Sequence, residues 1–491
     1  MRALLIHPPW LRLFGGELVT SPIALNGIAS HVRAAAPEIE IDIYNADHDG
    51  GRGRILRNID FTLGHGRYLA CLEGPHPAWE EVRSTIAGSR PDVVGISAMT
   101  ASYASALRVA AIAKSVDPSI RVVLGGRHAT ALPLLAAREP DVDVVVKGEG
   151  ELTFLELLRH PHRLGQVAGI TYRRGLEIVD NPPRELIASL DAMPLPVFES
   201  RVTRYGFSLG NTWPIVSIRG CPFRCIYCAS EKKVRSRSID NVIAEIERVN
   251  DLFGIRVFNF EDDCFSFNKN RVLEFCAKIR RTGRGIIWRC LTRVDLVDPA
   301  LAATMRSSGC FHAAIGIETG SEESQKRINK RIGAEDVART AALLKREGIL
   351  THGFFMAGFP WERQEDVDAT LDCMEALRLS SSELNLVTPL PGTALFDDLV
   401  SRGKIAPERF DWRRLHQGST DMNFSDSFSN AEWESMMLSA VSRGYAIERR
   451  QRIRSAWPRL LSNASRLRGV LRGPLLRKSL SYLFPWMREI R

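Results

Sequence analysis

The first part of the chain alternates short apolar runs with segments in which apolar residues recur three and four positions apart. The runs "RALLIHPP", "IEIDIYNAD", "DVVGISAMT", "IRVVLGGRHAT" and "VDVVVKGEGE" are typical of buried strands, and "IALNGIASHVRAA" and "YASALRVAAIAKSV" have helical spacing. Strands that alternate with helices favour a parallel sheet covered by helices. We therefore predict an α/β fold whose N-terminal part is a doubly wound parallel sheet.

The same alternation restarts after residue 213. Six apolar runs predict strands there: "PIVSIRG", "IRVFNFED", "IIWRCLT", "FHAAIGIET", "HGFFMAGFP" and "ELNLVTPL". Helical stretches lie between them, at about 236–252, 268–281, 298–307, 335–347 and 364–377. A complete barrel of strand–helix units has eight strands. Because only six are found, the sequence predicts a partial, six-stranded (β/α) barrel.

A less regular stretch separates the two patterns. It holds a predicted hairpin at "GITYRRGLEIVDN" and the proline-rich "DAMPLPVFES". We therefore predict four parts: a ligand-binding domain over residues 1–165, a connecting segment over 166–212, the barrel over 213–430, and a basic, helical C-terminal extension over 431–491.

Polar residues and glycines cluster where the predicted strands end. In open parallel sheets, ligands bind beyond the carboxyl ends of the strands. In the barrel, Asp262 and Asp263 follow the second strand, Arg293 the third and Glu318 the fourth. In the first domain the corresponding positions are Ser97, Thr100, Gly125, Gly126, His128, Thr130, Gly148 and Gly150.

Charge is distributed unevenly along the chain. The 491 residues have a formal net charge of +9, and residues 447–491 hold twelve Lys or Arg and two Glu, so this tail carries +10 and the rest about −1. Arginines mixed with apolar residues are typical of an interfacial amphipathic helix, although a solvated basic terminus or an RNA contact fits the same composition. The apolar face of such a helix would comprise Trp457, Leu460, Leu461, Leu467, Leu471, Leu475 and Leu476.

The N-terminal sequence and the cysteine content indicate a compartment. "MRALLIHPPW" reads as a buried strand and not as a signal peptide, and no apolar run is long enough to span a bilayer. We expect a cytoplasmic protein. Disulfides are not expected there, so clustered thiols indicate metal or redox chemistry.

Three of the nine cysteines lie within "GCPFRCIYCAS", as Cys221, Cys225 and Cys228. Gly220 and Pro222 predict a tight loop directly after a strand. Half of a zinc site is one interpretation, but a structural zinc ion needs four ligands and no second Cys or His pair lies nearby. Thiolates are also the ligands of iron–sulfur clusters, and three of them leave one iron open to an outside ligand.

"CPFRCIYC" resembles the cluster-binding motif of the radical S-adenosylmethionine (SAM) superfamily. The resemblance implies that Cys221, Cys225 and Cys228 hold a [4Fe-4S] cluster whose open iron binds SAM. One electron from the cluster then cleaves SAM into methionine and a 5′-deoxyadenosyl radical. The resemblance also implies that Tyr227 lies beside the adenine of SAM.

The same resemblance makes the residues after the later strands candidates for SAM binding. Asp262 and Asp263 would accept hydrogen bonds from its ammonium group, and Glu318 from its ribose hydroxyls. Arg293 would pair with a carboxylate of SAM or of the substrate. A solvated acidic turn, a capping or salt-bridge carboxylate and a plain ion pair are the structural alternatives at these positions.

The first domain indicates which subclass of the radical SAM superfamily the chain resembles. "VGISAMT", "VVLGGRHAT" and "VVVKGEGELTF" resemble the cobalamin-binding domain of cobalamin-dependent radical SAM enzymes, and the resemblance extends over nearly the whole of residues 1–430. It implies that the strand-end residues named above for this domain bind cobalamin. Gly125 and Gly126 would permit close backbone approach, and Ser97, Thr100 and Thr130 would donate hydrogen bonds. A generic nucleotide-like pocket or a domain that has lost its ligand is the alternative.

One departure from other cobalamin proteins concerns the cobalt ligand. The Asp-x-His-x-x-Gly motif that supplies a ligating histidine is absent, since "NADHDGG" does not match it. We therefore expect no histidine on the lower face of cobalt. His128 and His48 are the remaining, weak candidates for that position.

Together the resemblances predict an enzyme that methylates an unactivated carbon, or phosphorus, of a specialised metabolite or lipid-linked substrate. The cofactors would carry the chemistry, so no protein nucleophile or general base is predicted. Radical cyclisation, ring contraction or another rearrangement needs the same cofactors and stays open. RNA methylthiolation ranks lower because it needs a second cluster and residues 1–220 contain only Cys71. A metal-sensing module without catalysis would leave the polar strand ends unexplained.

The predicted partners follow from this chemistry. They are the cofactors [4Fe-4S], SAM and cobalamin, a small-molecule or lipid-linked substrate, and an electron donor such as flavodoxin or ferredoxin. Peripheral membrane contact is predicted through the basic tail, and nucleic acid is not expected.

Overall fold

The computed structural model of the chain describes residues 1–17, 22–50, 53–196 and 212–462, with side chains described to residue 455. The chain forms two compact units. Unit 1 comprises Met1–Ser208 and Thr388–Ser419, and unit 2 comprises Leu209–Val387 and Thr420–Arg491. Unit 1 therefore contains a segment that follows most of unit 2 in the sequence.

Unit 1 is built on a seven-stranded sheet in the order β2-β1-β3-β4-β5-β6-β7. The first five strands are parallel, and β6 and β7 extend the sheet as an antiparallel hairpin. The strand order reverses at β1, so right-handed crossovers place helices on both faces. The predicted doubly wound sheet is confirmed. The strands are β1 (Arg2–His7), β2 (Glu40–Asn45), β3 (Val93–Ser97), β4 (Arg121–Gly125), β5 (Val144–Val146), β6 (Ile170–Arg174) and β7 (Glu177–Asp180).

Helices cover the two faces of this sheet. One layer buries Leu25, Ala29 and Val32 of the first helix in a core with Leu5 and Phe154, as their helical spacing predicts. The helices between β2 and β3 were not predicted. The helices of this part of the chain are α1 (Ile23–Ala35), α2 (Asn58–Leu63), α3 (His65–Glu73), α4 (Pro77–Ser89), α5 (Tyr103–Val116), α6 (Arg127–Ala131), α7 (Pro133–Arg138) and α8 (Gly150–Arg159).

Unit 2 is built on a six-stranded parallel sheet in the order β15-β14-β13-β12-β11-β8, beside the two-stranded ladder β9–β10. All six predicted strands are present, and the partial barrel is confirmed. The strands of this unit are β8 (Thr212–Ile215), β9 (Ile218–Arg219), β10 (Arg235–Ser236), β11 (Val257–Phe260), β12 (Ile287–Thr292), β13 (Cys310–Glu318), β14 (Leu350–Ala357) and β15 (Ser381–Leu386).

The strands of this second sheet follow one another in sequence order. With right-handed crossovers, such an order places every connecting helix on the same face. We call this the outer face and the opposite one the inner face. The remaining helices are α9 (Ile239–Phe253), α10 (Lys269–Arg281), α11 (Pro299–Ser307), α12 (Glu322–Arg327), α13 (Ala334–Arg346), α14 (Gln364–Ala376), α15 (Ala394–Ser401), which belongs to unit 1, and α16 (Asn430–Ser462).

The C-terminal helix α16 covers the outer face of β15. Gln451 donates to the carbonyl of Met374 (2.8 Å) and accepts from the hydroxyl of Ser382 (2.6 Å). A Cβ on Gly444 would lie 3.0 Å from Leu384, so this glycine permits close packing on the strand. The beginning of the basic tail is therefore part of a packed helix. The apolar side chains predicted for a membrane-facing surface lie outside the described side chains, and no described helix is long and apolar enough to cross a membrane.

The Thr388–Ser419 segment completes the packing of unit 1. The ring of Trp412 lies edge-on to buried His128, with the ring centroids 4.6 Å apart. His416 is within hydrogen-bond distance of His65 (2.9 Å between ring nitrogens) and packs against Phe14. Side chains from both ends of the unit's sequence therefore pack together in aromatic clusters.

Gly126 marks a close approach of two loops at the carboxyl ends of β3 and β4. Its backbone has φ 99° and ψ 179°, a conformation that is almost restricted to glycine. A Cβ there would lie 2.5 Å from the carbonyl oxygen of Ala98 and 2.8 Å from its nitrogen. Glycine is required at this position by the protein's own backbone.

We expect Gly126→Ala to destabilise unit 1 by about 2–4 kcal/mol, because backbone strain of about 1–3 kcal/mol adds to the overlap with Ala98. Gly148→Ala is the matched control, since Gly148 also has a positive φ (73°) but its Cβ would meet nothing within 4 Å. Thermal unfolding followed by circular dichroism measures both. Equal melting temperatures for the two variants would contradict the proposed overlap.

Candidate active site

The three clustered cysteines lie on a loop that closes on itself. The amide of Cys221 donates to the carbonyl of Glu231 (2.8 Å), and that of Cys228 donates to the carbonyl of Cys225 (3.2 Å). Gly220 has φ 89°, and a Cβ on it would lie 2.8 Å from the same Glu231 carbonyl. All three thiols are half-buried and none forms a disulfide. The loop therefore presents three free thiols at the carboxyl end of the first strand of unit 2.

A buried carboxylate fixes the segment that leads into this loop. Asp262 accepts from the amides of Ser217 (2.7 Å) and Ile218 (2.8 Å) and from the Ser217 hydroxyl (2.5 Å). Burial raises the pKa of Asp262 to about 6, while these hydrogen bonds oppose the shift. All of its described contacts are structural, and its predicted contact with SAM stays a prediction. Asp263, the next residue, is half-buried and lies close enough to influence Cys221.

Arg293 holds the loop from another side. Its guanidinium lies 3.8 Å from the ring centroid of Phe223, within the cysteine motif, and makes two 3.0 Å contacts with Asp295. It also donates to the carbonyl of Lys330 (2.8 Å). The amide of Ile226 donates to the carbonyl of Ile328, which is near Lys330 in the chain. Arg293 therefore links β12, the cysteine loop and the segment after α12.

Glu318 and Lys330 form a buried ion pair near the last cysteine. Glu318 has a positive φ of 72°, which costs a non-glycine residue about 1–3 kcal/mol. A Cβ on Gly316 would overlap both charged groups, so glycine leaves room for the pair. Desolvation and the neighbouring Glu318 carboxylate raise the pKa of Tyr227 well above its ordinary value. Two of the predicted SAM-binding residues, Tyr227 and Glu318, are therefore adjacent.

The "GFP" turn after β14 is held by a carboxylate that the sequence did not single out. Glu362 accepts from the amides of Gly358 (2.7 Å) and Phe359 (3.1 Å) and from the hydroxyl of Ser324 (3.1 Å). Burial raises its pKa to about 7. The ring of Phe359 lies edge-on to Tyr227, with centroids 6.2 Å apart. Glu362 thereby positions an aromatic neighbour of the cysteine loop.

In unit 1, the predicted cobalamin-binding residues end three neighbouring strands. Ser97 and Gly125 are the last residues of β3 and β4, and the hydroxyl of Thr130 accepts from the amide of Gly148 (3.0 Å), which joins the loops after β4 and β5. Gly150 begins α8, where a Cβ would lie 2.7 Å from Ile28 of α1. These loops lie near the point at which the strand order reverses, where ligands of such sheets bind.

His128 is buried among aromatic rings. Its side chain is 1% exposed, lies 3.9 Å from the ring centroid of Tyr103, and is 3.2 Å from the Thr100 hydroxyl through Nδ1. Burial lowers its pKa to about 3, so the imidazole is neutral. The other weak candidate, His48, lies 3.3 Å from the Glu17 carboxylate. The individual cobalamin contacts, like those to SAM, stay predictions.

The cysteine loop has the donors that a [4Fe-4S] cluster needs. Three unoxidised, half-exposed thiols lie close enough for Cys225 and Cys228 to influence the pKa of Cys221. Among the described residues, no three His, Cys, Asp or Glu side chains converge on a point that would hold one metal ion. The ligands of a cluster bind different irons and need not converge in that way.

Two family models match the chain, one in each unit. The model of the Radical SAM superfamily matches residues 215–374, which contain the cysteine loop and β11 to β14. The model of the B12 binding domain matches residues 17–158, which contain β2 to β5.

Several characterised or named proteins are similar over most of the chain. An uncharacterized methyltransferase of Pyrococcus horikoshii is 33% identical over 336 residues, covering 66% of this chain and 72% of that protein. The anaerobic magnesium-protoporphyrin IX monomethyl ester cyclase of Rubrivivax gelatinosus is 29% identical over 69% of this chain and 63% of its own. The cytidylyl-2-hydroxyethylphosphonate methyltransferase of Streptomyces wedmorensis is 26% identical over 85% of each chain.

The fold has a close counterpart among solved structures. The radical SAM methyltransferase TsrM of Kitasatospora setae, solved with cobalamin and a [4Fe-4S] cluster, superposes with a TM-score of 0.67 at 17% identity. The match covers 91% of this chain and 88% of TsrM.

The chain belongs to the cobalamin-dependent radical SAM enzymes. It is a methyltransferase-like enzyme whose cofactors are a [4Fe-4S] cluster, SAM and cobalamin. Enzymes of this kind require an external reductant.

Asp262→Ala should leave the donors on Ser217 and Ile218 buried without an acceptor, at a cost of about 1–3 kcal/mol for each. We expect the variant to load less iron on anaerobic reconstitution, because the segment before Cys221 loses its anchor. Asp262→Asn keeps an oxygen acceptor and should retain most of the iron. Exposed Asp240→Ala is the matched control. Iron analysis decides, and full loading of Asp262→Ala would contradict the anchoring role.

Proposed function

We propose that this enzyme transfers a methyl group from SAM to an unactivated carbon of a small specialised metabolite. The observation that carries the proposal is the open set of three free thiols on a tightly fixed loop, in a chain that also contains a B12 binding domain. The phosphonate methyltransferase of Streptomyces wedmorensis, which is similar over 85% of each chain, supports a small substrate of specialised metabolism. Phosphorus as the acceptor atom and a lipid-linked substrate are variants of the same proposal.

The protein's part in this reaction is to bind and orient. When bound, the cluster supplies the electron that cleaves SAM, and cobalamin carries the methyl group. Cys221, Cys225 and Cys228 would hold the cluster, and Tyr227 and Glu318 would contact the adenosine of SAM. Glu318, which is paired with Lys330, would accept from the ribose hydroxyls. Asp263, beside Cys221, would accept from the ammonium of SAM.

The finer partners belong to the same proposal. The electron donor would be a flavodoxin or ferredoxin, and the enzyme would work in the cytoplasm. Contact with an anionic membrane through the basic tail would bring the enzyme to a lipid-linked substrate, since each basic residue near such a surface contributes about 1 kcal/mol.

Radical cyclisation is the second candidate function. It is favoured by the 29% identity with the cyclase of Rubrivivax gelatinosus. The cofactors are the same in both cases, so the product distinguishes the two.

The test is anaerobic turnover with cobalamin, a chemical reductant and SAM that carries a deuterated methyl group. The candidate substrates are metabolites made or used by the enzymes that neighbouring genes encode. We expect a product heavier by one deuterated methyl group, together with 5′-deoxyadenosine, when read by mass spectrometry. A product that has lost hydrogen without gaining the label would establish cyclisation instead. Unchanged turnover without cobalamin would refute both candidates.

Replacing Cys221, Cys225 and Cys228 together with Ala should abolish iron binding and 5′-deoxyadenosine formation, because the thiolates are the expected cluster ligands. The matched control is the replacement of Cys71 and Cys373 with Ala, two half-buried cysteines that are distant from the motif in the sequence. This control should bind about four irons, the number that we also expect for the unaltered protein. Iron content and deoxyadenosine are both measured. A triple variant that keeps its iron would overturn the cluster assignment.

A further inference from the structure

The inner face of the unit 2 sheet carries charged side chains as well as apolar ones. Along β12, the buried residues Trp288, Cys290 and Thr292 alternate with less buried ones, and Trp288 packs against Phe275 of α10. Buried positions therefore point to the outer face, where the helices lie. The intervening positions point to the inner face. Arg289 is one of them.

The strand register brings polar residues of three strands side by side. Arg289 pairs with Asn259 on β11 and with His312 on β13. Residues that pair directly in a parallel sheet lie on the same face. Asn259 donates to the carboxylate of Glu261, two residues further along. Asn259, Arg289 and His312 therefore form a polar row across the inner face. This row lies before the carboxyl ends of the strands.

Arg289 is the cation of this row. Its Nε is buried and has no hydrogen-bond partner among the described residues. Desolvation lowers the pKa of its guanidinium, and Glu261 only partly offsets this through space. A guanidinium taken out of water without a hydrogen-bonded anion is costly, and an incoming oxyanion would remove that cost.

The β14 and β15 strands add further hydrogen-bonding groups, and Arg452 of α16, which pairs with Glu448, lies close enough to influence their pKa values. His352 on β14 lies 2.8 Å from the Ser381 hydroxyl through Nδ1 and 3.8 Å from the Glu383 carboxylate through Nε2. Burial lowers the pKa of His352 to about 3 and raises that of Glu383.

Apolar residues lie between this polar row and the carboxyl ends of the strands. Leu291, Phe354 and Met356 occupy inner-face positions after Arg289 and His352 on their strands. Arg289 precedes the end of β12 at Thr292 by three residues, or about 10 Å. A ligand that enters from the carboxyl ends of the strands and spans this distance would contact these apolar residues first and Arg289 last.

We propose that Arg289 binds a carboxylate at the end of an otherwise apolar substrate, whose body lies against Leu291, Phe354 and Met356. This inference rests on the proposed function, because it names the substrate class for the same site. Arg289 is then a specificity-determining residue, and the position to be methylated lies about 10 Å from the acid, towards the cysteine loop.

The test compares ligands that differ only in charge. The probes are ω-phenylalkanoates with chains of three to eight carbons, the matching primary amides and the matching amines. Their affinities for the anaerobic, cluster-loaded full chain are measured by saturation-transfer NMR. We expect at least one carboxylate to bind roughly 10- to 100-fold more tightly than its amide, as a charge-assisted hydrogen bond provides, and the amines to bind most weakly.

Three variants assign the effect to one side chain. Arg289→Gln should remove the preference for carboxylate over amide. Arg289→Lys, which keeps the charge but loses the planar fork, should retain part of it. Exposed Arg339→Gln is the matched control for net charge and should behave like the unaltered protein. Iron content and melting temperature verify folding. If Arg289→Gln loads no iron, the carboxylate preference of Arg289→Lys is compared with that of the unaltered protein instead.

The inference is overturned if no carboxylate binds better than its amide to the unaltered protein, or if Arg289→Gln keeps the preference. Its failure is distinguishable from failure of the proposed function. A carboxylate preference that depends on Arg289, in a protein that transfers no labelled methyl group, would refute methyl transfer and leave the anion site standing. Methyl transfer to a substrate without an acid group would support the proposed function and refute the anion site.

Discussion

The buried Asp262 carboxylate is the contact on which the geometry of the unit 2 site depends. It joins the end of β11 to the segment between β8 and the cysteine loop through three hydrogen bonds. Burying a carboxylate is unfavourable, as the raised pKa of Asp262 shows, and hydrogen-bond donors at every approach make it tolerable. The cost is compensated because two amides that would otherwise be unsatisfied acquire an acceptor. The backbone segment that leads to the three cysteines is thereby fixed.

Other charged side chains also hold backbone segments around the cysteine loop. Arg293 spans the cysteine motif, its own strand and the Lys330 carbonyl, while Glu362 fixes the turn that carries Phe359. Glu362 bonds mainly to backbone amides, and Arg293 bonds to one backbone carbonyl and to the Asp295 carboxylate. Such groups restrain chain segments and do not react. This agrees with a chemistry carried by cofactors, for which the protein must above all supply a rigid and partly dry enclosure.

The sequence predicted the features that depend on local pattern. The spacing of Cys221, Cys225 and Cys228, the six strands of unit 2 and the strand–helix alternation of unit 1 are all visible in short stretches of chain. Glu362 and Lys330 escaped notice because their partners depend on how distant turns meet. Arg289 escaped because its importance depends on strand register and on which face it occupies. Gly126 was expected to make room for a cofactor, whereas the backbone of Ala98 already requires a glycine there.

The division of unit 1 between two stretches of sequence affects how the protein is made. Its sheet is encoded by the first 180 residues, yet Trp412 and His416 contribute to its aromatic packing. At 5–20 residues per second, a ribosome needs on the order of tens of seconds to reach them after β7 has emerged. Throughout that interval Phe14 lacks the ring of His416 and His128 lacks that of Trp412, so the nascent sheet is exposed to misassociation. The N-terminal unit is therefore the first to be synthesised but cannot finish folding until most of unit 2 has also been synthesised.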